Sequence, residues 1–124
     1  MIAPDTSIWV GHFISRNERL SKLLVGGQIV MHPFVFGELA LGGLPSRRKT
    51  LEELSDLPKL QIIPPNGMMQ LIEGRRIYSR GIGYVDASLL ASCLATPGTA
   101  LWTDDRRLSA AAREFKLPFP RLLH

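Results

Sequence analysis

Residues 99–108 read TALWTDDRRL, and this stretch decides the fold. Ala100, Leu101 and Trp102 form a short apolar run, the pattern of a buried strand across residues 99–103. Beyond it Leu108, Ala111, Ala112 and Phe115 recur at the spacing of one helical face. Asp104 and Asp105 therefore sit at a strand-to-helix junction. The N-terminus repeats that order: residues 1–3 suit a short strand, Asp5 follows, and residues 7–14 suit a helix. Pro4 between them is tolerable only at a strand end or on an edge.

The segments between these ends keep alternating. Residues 19–25 read as a helix, Gly26 and Gly27 break it, and residues 28–31 suit a second strand. Pro33 is placed to open a helix that runs to Leu41 and stops at Gly42 and Gly43. Residues 47–57 are amphipathic, and residues 60–63 suit a buried strand closed by Pro64 and Pro65. Asn66 is a candidate cap for a helix reaching Arg80. After the turn Gly81-Ile82-Gly83, Ala87, Leu90, Ala91 and Leu94 make a further helical stripe, and a last strand is expected near residues 119–123. With no repeat or linker, this order predicts one α/β domain over residues 1–124 on a mostly parallel sheet.

Composition fits that reading. The chain has 124 residues, 45% hydrophobic and 21% charged, the balance of a globular domain with a sizeable core. Acidic and basic residues interrupt every apolar run before membrane-spanning length. No basic region precedes the apolar start, as a secretory signal would require, and the lone Cys93 rules out an internal disulfide framework. These features lead to the expectation of a cytoplasmic protein without membrane association. Net charge is +4, and 11 of the 15 basic residues are arginine. If Asp5, Glu38, Asp86, Asp104 and Asp105 form one cluster, the fifteen basic residues face six other acids, a body of +9. A basic body around an acidic focus suggests a polyanionic partner and a cation at the focus.

Right-handed parallel connections gather strand-to-helix junctions along the carboxyl edge of a sheet, where open α/β folds bind ligands. Asp5 and the Asp104–Asp105 pair are thereby expected to be neighbours, and Asp86 at the start of its own helix is able to reach the same edge. Helix capping explains each of these aspartates equally well when taken alone. Glu38 lies in PFVFGELALGG, a helix apolar on every side and so expected to be buried, with no Lys or Arg within a turn. Four or five carboxylates cannot share a pocket ionised without a counter-charge. An all-oxygen donor set with no zinc-spaced Cys or His favours Mg²⁺ or Mn²⁺, and the chemistry it indicates is hydrolysis of a phosphodiester.

DTSIW (residues 5–9), FGELALG (36–42), YVDASLLAS (84–92) and LWTDDRRL (101–108) together resemble the PIN-domain ribonucleases, most closely the VapC-type toxins of bacterial type II toxin–antitoxin pairs. The likeness spans nearly the whole chain. It implies a three-layer α/β/α sandwich around a mostly parallel five-stranded sheet and a Mg²⁺- or Mn²⁺-dependent endoribonuclease acting on RNA. It also implies a homodimer, and inhibition by a cognate VapB-type antitoxin, through which any DNA contact would run. The family's first three acidic positions fall on Asp5, Glu38 and Asp86. Its closing pattern of Thr, any residue, Asp, two residues and an apolar residue aligns Thr103, Asp105 and Leu108, which favours Asp105 as the fourth acid and keeps Asp104 as an auxiliary or substitute metal-binding acid. On that resemblance Asp5 and Asp86 are direct metal ligands, while Glu38 and Asp105 complete the ring. Pro4 departs from the aliphatic residue usual before the first acid.

Thr6, Ser7 and Thr103 are candidates to donate hydrogen bonds to these carboxylates, or to contact substrate, with capping as the simpler role. Arg106 and Arg107 are candidates for RNA phosphates, with two further basic stretches at residues 47–49 and 75–80. Trp9 and Trp102 read as core residues, and none of the three histidines adjoins a nucleophile motif. Two rivals differ in class. A receiver-like phosphoacceptor needs an acid at a middle strand end, where this chain has prolines; a non-catalytic RNA- or protein-binding module remains the alternative to a nuclease.

Overall fold

The computed structural model describes residues 1–118 and 120. Two regular strands, β1 (Ile2–Pro4) and β2 (Ala100–Trp102), pair in parallel with Ile2 opposite Ala100 and Pro4 opposite Trp102. Two further segments join them through single parallel bridges, Ile29 to Ile2 and Lys59 to Met31. The backbone bonds Ile2 N–H to Gln28 O (2.8 Å) and Leu60 N–H to Met31 O (2.9 Å) complete that array. The fold is thus α/β with a parallel sheet, but among the described residues only two of the five expected strands are regular: the segment at 28–31 is reduced to bridges at Ile29 and Met31, and in place of the strand expected at 60–63 a single bridge falls at Lys59, just ahead of it. The strand expected near residues 119–123 lies, apart from Pro120, outside the described residues.

Pro4 fits because of side alternation. Met1 O and Asp5 N–H face β2, bonding Ala100 N–H (3.0 Å) and Trp102 O (2.9 Å). Pro4, like Ile2, faces the opposite neighbour, where its missing donor falls at the end of the strand.

Helices surround the strands: α1 (Thr6–Ile14), α2 (Glu18–Val25), α3 (Pro33–Leu41), α4 (Arg47–Ser55), α5 (Pro65–Gly74), α6 (Tyr84–Leu94) and α7 (Arg106–Glu114). Helix α6 is buried at every position from 87 to 93 and packs on α3, α5, α7 and β2. Trp9 and Trp102 both lie in the core. Cys93 is buried too, and burial pushes its thiol up to about 12, so it is an unreactive core residue.

Helix α5 is shorter than the sequence suggests. Pro64 caps it, Pro65 takes the first helical position, and it ends at Gly74 rather than Arg80. Arg76 and Ser79 adopt positive φ (53° and 59°), a left-handed backbone that no helix accommodates. Helix α4 likewise stops at Ser55, short of Leu57. Helix α3 is not buried on every side: Val35 and Leu39 face the core, whereas Glu38 and Leu41 are exposed. The expectation of a buried Glu38 is therefore corrected, because one face of α3 borders an open cleft.

Candidate active site

The carboxyl ends of β1 and β2 open on a cleft of about 740 Å³. Four chain segments supply its acids: Asp5 after β1, Glu38 on α3, Asp86 in the first turn of α6, and Asp104 with Asp105 after β2. Thr6, Ser7, Val10 and Tyr84 also line it. Among the described residues, no lysine or arginine lines the cleft.

Asp5 is the most firmly held of these acids. It is only 3% exposed and caps α1, its Oδ1 accepting from Ile8 N–H (3.0 Å) and Ser7 Oγ (2.7 Å). Its Oδ2 accepts from Thr103 Oγ1 (2.5 Å), and Thr103 Oγ1 in turn accepts from Asp105 N–H (3.0 Å). The junctions after β1 and β2 are tied together through this one hydroxyl. Thr6 Oγ1 donates to Glu38 Oε1, joining α1 to α3. Thr6, Ser7 and Thr103 thus all hold acids in place.

Asp105 caps α7, its Oδ1 accepting from Arg107 N–H (2.8 Å) and Leu108 N–H (3.1 Å). Capping and a place in the cleft are compatible, because each cap uses only part of a carboxylate's acceptor capacity. Asp86 is different: Gly83 occupies the cap of α6, and no side chain caps that helix. Half-buried, Asp86 is pushed up to about 6, first by desolvation and then by the charges of Asp5, Glu38 and Asp105. Three acids from separate segments thus stand close enough to Asp86 for their charges to bear on it. Asp104, exposed at the rim, is not among the charges that act on Asp86.

These residues suit a hard divalent cation in donor type and in charge. Among the described residues, no three His, Cys, Asp or Glu side chains are already placed to enclose an ion. Side-chain rotation or intervening water would have to complete the shell, as is common for Mg²⁺.

Several basic residues singled out from the sequence are engaged elsewhere. Arg107 lies over Gly81, donating to its carbonyl (3.4 Å), and a Cβ at Gly81 would stand 2.4 Å from the Arg107 Nη1. Arg80 pairs with Glu114 (2.9 Å), Arg75 sits over the Phe115 ring (4.9 Å), and Arg47 closes α3 by bonding Ala40 O and Gly42 O. Arg106 is exposed beside Asp105.

The PIN domain family profile matches residues 2–114. The chain belongs to the PIN-domain family. Two curated proteins, both named Ribonuclease VapC32 and from two strains of Mycobacterium tuberculosis, are each 40% identical to it over 114 residues, covering 92% of this chain and 92% of theirs. That similarity places this PIN domain with the VapC-type members. No solved structure matches it.

Sequence reasoning gave His32 no role, yet it ties the start of α3, the helix that carries Glu38, to α6, the helix that carries Asp86. It caps α3, its Nδ1 accepting from Phe34 N–H (3.0 Å), so Nε2 carries the hydrogen and donates to Ser92 Oγ (3.0 Å). Ser92 Oγ passes its own hydrogen to Gln61 O (2.6 Å). The placement of His32 immediately before Pro33 was the available signal, since residues just ahead of an N1 proline are cap positions.

Crowding of the acids gives a testable consequence. In the metal-free PIN domain, Glu38→Ala is expected to keep or raise the melting temperature, because it removes a repelling charge at an exposed position. RNA cleavage should fall by roughly 10–100-fold. Thermal melts with chelator present check the first half, and a lower melting temperature would contradict the repulsion.

Proposed function

We propose that this PIN domain is a divalent-metal-dependent endoribonuclease and the toxin of a VapB–VapC-type pair. One observation carries the reading: Asp5, Glu38, Asp86 and Asp105, from four remote chain segments, line one cleft, and three of them raise the fourth. The ribonuclease names of its relatives support it. A cleft without its own cation repels a phosphodiester, so an acid cluster serves RNA hydrolysis only in company with a bound positive ion. Asp5 and Asp86 would hold Mg²⁺ or Mn²⁺, with Glu38 and Asp105 completing the ring. When bound, the ion acidifies water and offsets charge building on the phosphate.

The chain's own residues do the positioning. Ser7 and Thr103 fix the Asp5 carboxylate, leaving acceptor capacity on Oδ2, and Thr6 orients Glu38. Asp105 rather than Asp104 serves as the fourth acid, because its charge is felt at Asp86. Arg106, and Arg107 beyond its contact with Gly81, face RNA phosphates flanking the scissile bond. A homodimer, a VapB-type antitoxin over the cleft, DNA contact only through that antitoxin, and a cytoplasmic location complete the proposal. Among the described residues no helix is long and apolar enough to cross a membrane.

The test is incubation of the purified protein with single-stranded RNA in chelator, then with Mg²⁺ or Mn²⁺ restored, alongside Asp5→Asn. Cleavage that needs the metal and disappears in the variant is expected. RNA binding without cleavage in the unmodified protein would instead identify a non-catalytic module.

A further inference from the structure

The cleft contains one feature that metal chemistry does not use. Tyr84, the first residue of α6, is 51% exposed and, among the described residues, is the only aromatic side chain lining the cleft. It lies two residues before Asp86. No hydrogen bond, ion pair or ring contact engages it among the described residues, and its neighbour Gly83 has open space where a Cβ would stand. Val10, 43% exposed on α1, supplies a second apolar surface in the same cleft.

An exposed ring at the lip of a carboxylate-lined cleft is poorly explained by packing. Nor do the described lining residues offer a cation to draw in a polyanion. Beside the bound ion and the flanking arginines of the proposed function, a neutral contact with the base is the further source of affinity that the lining itself offers a nucleotide at the acids. Aromatic rings supply that for unpaired bases, whose faces are open, at about 1–3 kcal/mol per stacked base.

We propose that Tyr84 is a substrate-binding residue, the platform on which a nucleobase next to the scissile phosphate stacks, with Val10 against the same base. The inference rests on the nuclease reading and adds to it a requirement for single-stranded RNA at that position. Duplex RNA keeps its bases stacked on one another and cannot use the ring.

Two measurements test this. In steady-state cleavage of a single-stranded RNA oligonucleotide, Tyr84→Ala should raise KM about 5- to 150-fold with kcat within a few-fold, the range that one base stack spans. Tyr84→Phe and Tyr84→Trp should stay near the unmodified protein. In chelator, Tyr84→Trp adds an exposed indole to a protein whose own Trp9 and Trp102 are 1% and 6% exposed. Its emission should be quenched by the single-stranded oligonucleotide, and not by inorganic polyphosphate or by duplex RNA. Loss in Tyr84→Phe equal to that in Tyr84→Ala would overturn stacking, as would quenching by polyphosphate. Unchanged emission with RNA would overturn it as well, and would point to a protein partner for the ring. Normal cleavage by Tyr84→Ala at unchanged KM sinks the inference while leaving the nuclease intact. Quenching of Tyr84→Trp by the oligonucleotide, in a protein that never cuts RNA, does the reverse.

Discussion

Asp86→Asn is expected to lower metal-dependent RNA cleavage by at least on the order of 10²–10³, while making the metal-free protein more stable at neutral pH. Both effects come from one geometry. Asp86 has no capping duty, and it stands where burial and three neighbouring carboxylates hold its carboxyl up at about 6, against an ordinary 3.8. The native state therefore binds this proton more tightly than the unfolded chain does. Its stabilising contribution is fully present below about pH 4 and is lost as pH rises through about 6. A rise of that size is worth about 3 kcal/mol, which solvent screening at a half-exposed side chain reduces to about 1–2 kcal/mol. Asn cannot carry the charge, so chelator-treated Asp86→Asn should melt higher than the unmodified protein at pH 7.5 and level with it near pH 4. Equal melting at both pH values would mean that neither burial nor the neighbouring carboxylates raise Asp86.

The second large effect concerns stability alone. His32→Ala removes the cap of α3, strands the Ser92–Gln61 link and leaves a void at a site 1% exposed. The expected loss is about 2–4 kcal/mol, enough to lower the melting temperature by roughly 10 °C at this chain length. Burial holds the imidazole down to about 4. The folded state binds fewer protons between the unfolded value near 6.5 and that pH, so the stability His32 confers is present above about 6.5 and disappears as pH falls through about 4. This is opposite in sign to Asp86 over the same window. His32→Asn preserves a capping side chain but not the titration. It should recover much of the melting temperature while flattening the acid limb of the stability profile, and no recovery would show that the cap is not what His32 provides.

How much of this was legible beforehand follows the range of each interaction. The two strand–acid–helix junctions could be read locally, because a three-residue apolar run, an aspartate and a helical stripe are all near neighbours in sequence. From the right-handed connection rule, the meeting of Asp5 with Asp105 followed without coordinates. Glu38 was harder: an all-apolar flank suggested burial, yet which face of α3 meets the core depends on α6 and α1, which the segment itself does not encode. The lost end of the predicted helix at 66–80, residues 75–80, turned on Arg76 and Ser79 accepting positive φ, a tertiary demand held by Arg80–Glu114 and Arg75–Phe115 contacts across to α7 and its end. The cap position of His32 ahead of Pro33 was readable, but its link to Ser92 was invisible for the same reason, since Ser92 lies 60 residues away. The segment at 28–31 pairs through single bridges at Ile29 and Met31, and next to 60–63 the pairing is confined to the bridge at Lys59 and the bond from Leu60 N–H to Met31 O, so apolar character alone overstated both strands.

The most direct measurement is calorimetric titration of the RNA-free protein with Mn²⁺ at pH 6 and pH 8, in two buffers of different ionisation heat. A cation shared by these carboxylates predicts saturable binding at both pH values, release of about half a proton per site at pH 6 and almost none at pH 8, and loss of binding in Asp5→Asn and Asp86→Asn. Mn²⁺ uptake that is absent, or indifferent to both substitutions, would contradict it.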